Sequence, residues 1–185
     1  MASFIFDLET DGLNPYHAEI IEIGIKLYNS QKEYNTLIKY NKNKLDPKIT
    51  EITGIQLQDL NLNGIEKISA YQNLINFILE NRGNNKEIKL ISHNGNGFDF
   101  IFFKRILKEL NKETLNKDII YIDTLNIAKY LMKNQRSFKL SSLCKYHQIN
   151  LYNHHRAMGD VYALEKLYNL FLNLDKNIYL KIDII

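Results

Sequence analysis

Asp7 and Glu9 stand two residues apart in FDLETDGL, Asp99 in SHNGNGFDF, and His155 and Asp160 in HHRAMGDVYAL. On an extended run, residues two apart project from one face. That puts both carboxylates together and turns Phe6 and Leu8 to the opposite, buried face. Such a pair is costly without a cation between its members, and an all-oxygen set suits Mg²⁺ or Mn²⁺. Asp99 follows Gly95 and Gly97 and precedes the apolar run from Phe100 to Phe103, at a helix start. A helix-start acid has an ordinary role as a cap or dipole partner. The polar HNGNG turn before it ends a strand, where open α/β sheets place ligand crevices. His155 and Asp160 are five apart, about 140° around a helix, so they do not share a helical face. The arrangement works with Asp160 on the helix and His155 on the loop feeding it. There an imidazole with an unperturbed pKa of about 6.5 suits a general base. Taken singly, these residues read as a strand-end acid, a helix cap, a surface histidine beside His154 and a helix acid paired with Arg156. Taken in order, four acids and one histidine point to metal-dependent hydrolysis of a phosphodiester.

The elements that must position them follow from periodicity. Residues 3–8, 18–29 and 33–39 read as strands, the last two joined by a hairpin through Asn29 and Ser30. Together they predict an antiparallel N-terminal meander. Pro47 opens a short helical stretch, PKITEI, that Gly54 stops. Tyr71, Leu74, Ile75, Ile78 and Leu79 recur at helix spacing, and RGNN ends that helix. Residues 87–92 and about 118–122 read as further strands. Residues 98–110, 124–133 and 139–147 read as helices. The last helix spans about 157–173, with Val161, Leu164, Leu167, Tyr168 and Phe171 on one face. No internal repeat or linker interrupts this pattern, so residues 1–185 are expected to form one α/β domain.

Composition limits the alternatives. The chain has 185 residues and 45% hydrophobic content, enough for a packed core and too much for a disordered segment. Cys144 is the single cysteine, which excludes an intrachain disulfide and a cysteine-rich zinc site and predicts a reducing, intracellular compartment. The N-terminus has no basic stretch before its apolar run, and no apolar run approaches the roughly 20 residues of a membrane span. A soluble cytoplasmic or nuclear protein is the expectation. The formal charge of +3 grows more positive over the rest of the chain if four acids are spent on metal, compatible with a polyanionic partner.

The three acidic segments, in this order, resemble the DEDDh 3′→5′ exonucleases of the DnaQ-like class. The resemblance covers most of the chain and extends to IIEIG (Ile20 to Gly24), ITGI (Ile52 to Ile55), IDTL (Ile122 to Leu125) and FKLSSLCKYHQI (Phe138 to Ile149). The HNG-x-x-aromatic-Asp spacing from His93 to Asp99 and the H-x-A-x-G-D-V-x-A-L pattern from His155 to Leu164 are most similar to the three-prime repair exonuclease (TREX) branch. Unlike that branch, the chain shows no long Pro-rich insertion and no hydrophobic C-terminal tail. Membrane attachment is therefore not implied. Asp11 stands where a small or hydroxylated residue is more usual in the family.

The resemblance implies an RNase H-like α/β fold, with a central mixed sheet (the antiparallel meander plus parallel strands) flanked by helices. It implies that Asp7, Glu9, Asp99 and Asp160 hold two Mg²⁺ ions, with Mn²⁺ as a substitute. His155 would be the general base, and the reaction would release nucleoside 5′-monophosphates from DNA 3′ ends. Leu13 and Phe98 match positions that contact the terminal nucleotide, with Thr10 and Ile55 as weaker candidates. Lys39, Lys42, Lys44, Lys48, Lys133, Arg136 and Lys139 are candidates for tracking phosphates. The same chemistry on RNA, as in RNase T-like and oligoribonuclease enzymes, is the nearest alternative. A polymerase proofreading subunit and a module that only binds nucleic acid or a protein partner are the others. Related enzymes are often homodimers, and no sequence feature specifies an interface.

Overall fold

β1 (Ala2–Thr10) is the central strand of the computed structural model, which describes residues 1–178. On one side it pairs antiparallel with β2 (Ile20–Leu27), which pairs antiparallel with β3 (Glu33–Leu37). On its other side it pairs parallel with β4 (Ile88–Ser92), which pairs parallel with β5 (Ile119–Asp123). The sheet order is therefore β3-β2-β1-β4-β5, a mixed sheet with the expected meander and parallel half.

Alternation along β1 divides the molecule into two layers. Phe4, Phe6 and Leu8 pack into a core with α3 (Lys67–Asn81) and α4 (Asp99–Glu109), where Phe6 meets Phe103 edge-on at 5.5 Å between ring centroids. Ile5 points the other way, into a second core with Ile91, Ile122, α5 (Thr124–Leu131), α6 (Leu140–Tyr146) and α7 (Ala157–Leu174). Asp7 and Glu9 continue the Ile5 face, which aims them at the start of α7. Two short α-helices connect β3 to α3: α1 (Pro47–Thr53), capped by Asp46 and ended by Gly54 at φ 72°, and α2 (Leu57–Asn63).

Helix α7 is held to β2 by two close contacts. Lys26 is buried and reaches both carboxylate oxygens of Glu165, at 2.8 and 2.7 Å. At Gly24 a Cβ would lie 2.8 Å from the carbonyl carbon of Ala157 and 2.9 Å from its Cβ. Gly24 is the register partner of Asp7. The absence of a side chain there lets the first turn of α7, with Asp160, close onto the acidic end of β1.

The expected elements are present, with three differences. The second strand starts at Ile20 and not at residue 18, because Glu19 turns to Asp11: its carbonyl accepts from the Asp11 amide at 2.9 Å, and its own amide donates to Asp11 Oδ1 at 2.7 Å. Helix α2 and a 3₁₀ helix over Glu113–Asp118 are additions. Among the α2 residues only Leu60 is buried, too few apolar contacts to leave a periodic trace. The end of the expected 1–185 domain, residues 179–185, lies outside the described residues.

Gly24→Ala should lower stability by about 1–3 kcal/mol through overpacking against Ala157, read as a shift in the urea midpoint. It should also lower any activity that depends on Asp160, because the shifted helix start carries that residue.

Candidate active site

The C-terminal half of β1 delivers Asp7 and Glu9, and the first turn of α7 delivers Asp160. One carboxylate oxygen from each lies within 4.8 Å of the other two. Asp99 approaches from the start of α4, below the HNGNG turn. Its Oδ2 accepts from the Ser92 hydroxyl at 2.7 Å, while its buried Oδ1 has no hydrogen-bond partner among the described residues. A buried carboxylate oxygen left without a donor is expensive.

Four acids facing one another in a partly dry site repel their own charge. Burial, then Asp99, Asp160 and Glu9, hold the Asp7 carboxyl well above the usual carboxylate range. Burial, then Asp160 and Glu22, push Glu9 up to about 8. Burial raises Asp99 to about 7 against the opposing pull of Ser92. A divalent cation would remove this repulsion and satisfy the orphaned Asp99 oxygen. The residues present therefore fit a metal, and their all-oxygen chemistry fits a hard one.

Among the described residues, positive groups stand around this cage and not inside it. Glu22, paired in register with Glu9, is buried and takes Arg156 Nη2 on Oε1 at 2.8 Å and Arg156 Nε on Oε2 at 3.0 Å. The Ala157 amide adds a third bond to Glu22 at 3.0 Å. This bidentate pair ties the residue after His155 to β2. On the other side, Asp123 accepts from the amides of Asn94 at 2.9 Å, Asn96 at 3.0 Å and Leu125 at 2.9 Å. It thereby fixes the turn that precedes Asp99 while capping α5. His93 Nε2 donates to the Phe138 carbonyl at 2.8 Å, and burial lowers its proton affinity.

His155 lies on the loop before α7, as its spacing from Asp160 requires, and its backbone is left-handed at φ 63°. Its amide donates to Asp160 Oδ2 at 3.2 Å. The ring that reaches Asp160 belongs to its neighbour: His154 Nδ1 donates to Asp160 Oδ1 at 2.8 Å, and the two imidazoles stack 3.7 Å apart. Burial and then His154 lower the proton affinity of His155. Both histidines border a cleft of about 750 Å³ that Leu13, Phe138 and Lys139 also line.

The weaker site candidates divide. Leu13 is 88% exposed at the cleft mouth. Phe98 is half-buried and packs edge-on against Phe102 at 5.0 Å, beside Asp99. Thr10 is buried and spends its hydroxyl on the Gly12 carbonyl at 2.7 Å. Ile55 is buried with Ile21, Tyr40, Leu45 and Leu60, so it backs the β2 side of the fold and does not line the cleft. Of the basic candidates, Lys42 is tied to Asp11 at 2.5 Å and Lys39 to Glu66 at 2.8 Å, whereas Lys139 borders the cleft. Arg156 pairs with Glu22 and not with the helix acid that its position in the sequence suggested.

Sequence reasoning passed over His154, Glu22, Asp123 and Ser92. Only two of them carried a signal: Glu22 and Asp123 are acids inside otherwise apolar strand runs, IIEIG and IIYID, where a charge must have a partner.

A family model described as Exonuclease (RNase T) matches residues 4–168. A DNA polymerase III PolC-type protein of Thermotoga maritima is 34% identical over 178 residues, spanning 94% of this chain and 12% of that protein. A 3′-5′ exonuclease DinG of Staphylococcus aureus is 30% identical over 191 residues, spanning 97% of this chain and 20% of that protein. The chain thus spans a fifth or less of the length of these relatives. The solved structure of E. coli exonuclease I in complex with a dT13 oligonucleotide shares the fold, with a TM-score of 0.79 and 19% identity over 96% of this chain and 42% of that one. These likenesses bear on the exonuclease family as a whole and leave the TREX branch an expectation of the sequence. No helix among the described residues is long and apolar enough to cross a membrane.

The raised acids make stability depend on pH in a defined direction. Glu9 holds its proton to about pH 8 when folded and to 4.5, its ordinary value, when unfolded. Between those values the folded chain binds more protons, so its stability falls as pH rises. Asp99 acts with the same sign up to about 7. In EDTA, the calorimetric melting temperature should fall from about pH 5 to about pH 8.5, and millimolar Mg²⁺ should restore more at the upper pH. A metal-free profile that is flat or rises over this range would contradict the electrostatics described.

Proposed function

Since the chain belongs to the RNase T-type exonuclease family, we propose that it hydrolyses DNA from the 3′ end, one nucleoside 5′-monophosphate at a time. The observation that carries this reading is the convergence of Asp7, Glu9 and Asp160 within 4.8 Å, next to an Asp99 oxygen that lacks a partner. Mg²⁺, with Mn²⁺ as a substitute, is the cation this set would hold.

Asp7, Glu9, Asp99 and Asp160 are the residues that would hold it. When bound, such ions supply charge that stabilises the attacking and leaving oxygens of an in-line displacement. His155, with its lowered proton affinity, is neutral near pH 7 and free to accept a proton at a ring nitrogen. It takes the proton of the water that attacks the terminal phosphorus. The bond from phosphorus to the 3′ oxygen of the preceding nucleotide breaks, and that oxygen leaves on the shortened strand and takes a proton from solvent water to become its 3′-hydroxyl. The Glu22–Arg156 pair and the His155 amide bond to Asp160 keep the loop against the cage during this exchange.

The cleft supports a single-stranded end. Leu13 offers an exposed apolar surface for a base, Phe98 stands beside Asp99, and Lys139 is placed for a phosphate. The names of the Thermotoga and Staphylococcus relatives, a DNA polymerase and a 3′-5′ exonuclease, support DNA over RNA.

Matched 5′-labelled DNA and RNA oligomers, incubated with Mg²⁺ and with EDTA, test the reading directly. DNA should shorten in single-nucleotide steps with Mg²⁺ and stay intact in EDTA; faster loss of the RNA would reverse the substrate assignment. His155→Ala should lower kcat about 10² to 10⁴-fold with little change in KM, and Asp7→Asn should leave no measurable turnover.

A further inference from the structure

The loop before α7 assembles a second set of ligand atoms with a different chemistry from the cage. One nitrogen of His154, one nitrogen of His155 and one oxygen of Asp160 lie within 4.8 Å of one another. The two rings are stacked at 3.7 Å and 25°, so a tilt of one ring brings both in-plane lone pairs onto one ion. The loop closes over that carboxylate, with the His154 ring on Oδ1 and the His155 amide on Oδ2.

Two imidazoles and one carboxylate are a poor set for Mg²⁺ and a good one for Zn²⁺ or a similar borderline ion. Ligand atoms on a tetrahedral ion with bonds of about 2.0 Å stand about 3.3 Å apart. The His154 Nδ1 to Asp160 Oδ1 distance, 2.8 Å, needs to open by only about half an ångström to reach that value. Both histidines border the cleft, which leaves the fourth position of such an ion to water.

We propose that His154, His155 and Asp160 form a second site, overlapping the cage at Asp160, for a borderline transition metal of the Zn²⁺ class, and that filling it switches the enzyme off. Two consequences of the geometry support the switch. Asp160 belongs to both ligand sets, so a cation held on the histidine side competes with the carboxylate cage for its charge. A His155 nitrogen that donates its lone pair to a metal no longer has it for the proton of water. The silencing half rests on the exonuclease reading; the site itself does not.

The test begins without nucleic acid. In a Glu9→Gln background, which weakens the carboxylate cage and keeps the three ligands, Co²⁺ should give visible d–d absorption. Calorimetry should show one Zn²⁺ per chain. His154→Ala should weaken Zn²⁺ binding about tenfold or more, and His154→Cys should restore it. In the labelled-DNA assay with excess Mg²⁺, Zn²⁺ should inhibit the wild-type chain, and His154→Ala should need about tenfold more Zn²⁺ for the same inhibition. Unchanged Zn²⁺ affinity in a His154→Ala protein with native circular dichroism would overturn the site. Equal Zn²⁺ inhibition with and without His154 would overturn the switch. Absence of Mg²⁺-dependent shortening in the wild-type chain would overturn the exonuclease reading and the switch that rests on it, while the metal titrations decide the site independently.

Discussion

Mutual repulsion of carboxylates at one end of β1 is the constraint around which this fold is arranged. Asp7, Glu9, Asp99 and Asp160 come from three elements far apart in sequence, and among the described residues the neighbouring Arg156 is turned to Glu22. Holding them together takes rigid supports on every side. The sheet aligns the first two by alternation, Ser92 holds one oxygen of Asp99, and Gly24 lets α7 come close enough to bring the fourth. The buried Lys26–Glu165 pair then secures the same helix one layer away. Folding energy from two hydrophobic layers is thus spent on an arrangement that is complete only with a divalent cation.

The supports share a pattern. Asp99 keeps one cage oxygen without a donor among the described residues, whereas each acid beside the cage is fully used. Glu22 has Arg156 and the Ala157 amide, and Asp123 has three backbone amides. Asp11 has the Glu19 amide, Tyr40 and Lys42. The contrast separates acids that build the fold from acids that await a ligand, although Glu22 stands directly opposite Glu9 in the neighbouring strand.

Much of this was legible in the sequence, for identifiable reasons. Asp7 and Glu9 could be assigned to one face because the strand period is two, and His155 could be kept off the helix because five residues do not close a helical turn. The sheet layers followed from apolar runs long enough to show a period. What escaped detection depended on contacts between distant segments. Glu22 and Arg156 are 134 residues apart, and no local pattern joins them. His154 was passed over because its backbone position said nothing of which ring would turn to Asp160. Ile55 matched a motif and lies beneath the surface, since the helix that follows it covers it. Asp11, odd by family habit, turned out to be a fastener for the loop that carries Leu13.

His155 combines two demands that usually fall on different residues. At φ 63° its backbone occupies a region that glycine and asparagine enter at little cost and other side chains enter under strain. A chain under selection for stability alone would drift towards one of those residues here, relaxing the turn and giving up the ring. An imidazole kept in that twist is therefore a local conflict between foldability and chemistry. Position 155 serves as a gauge of which one prevailed: the loop remains tense so that a proton acceptor can face the cleft.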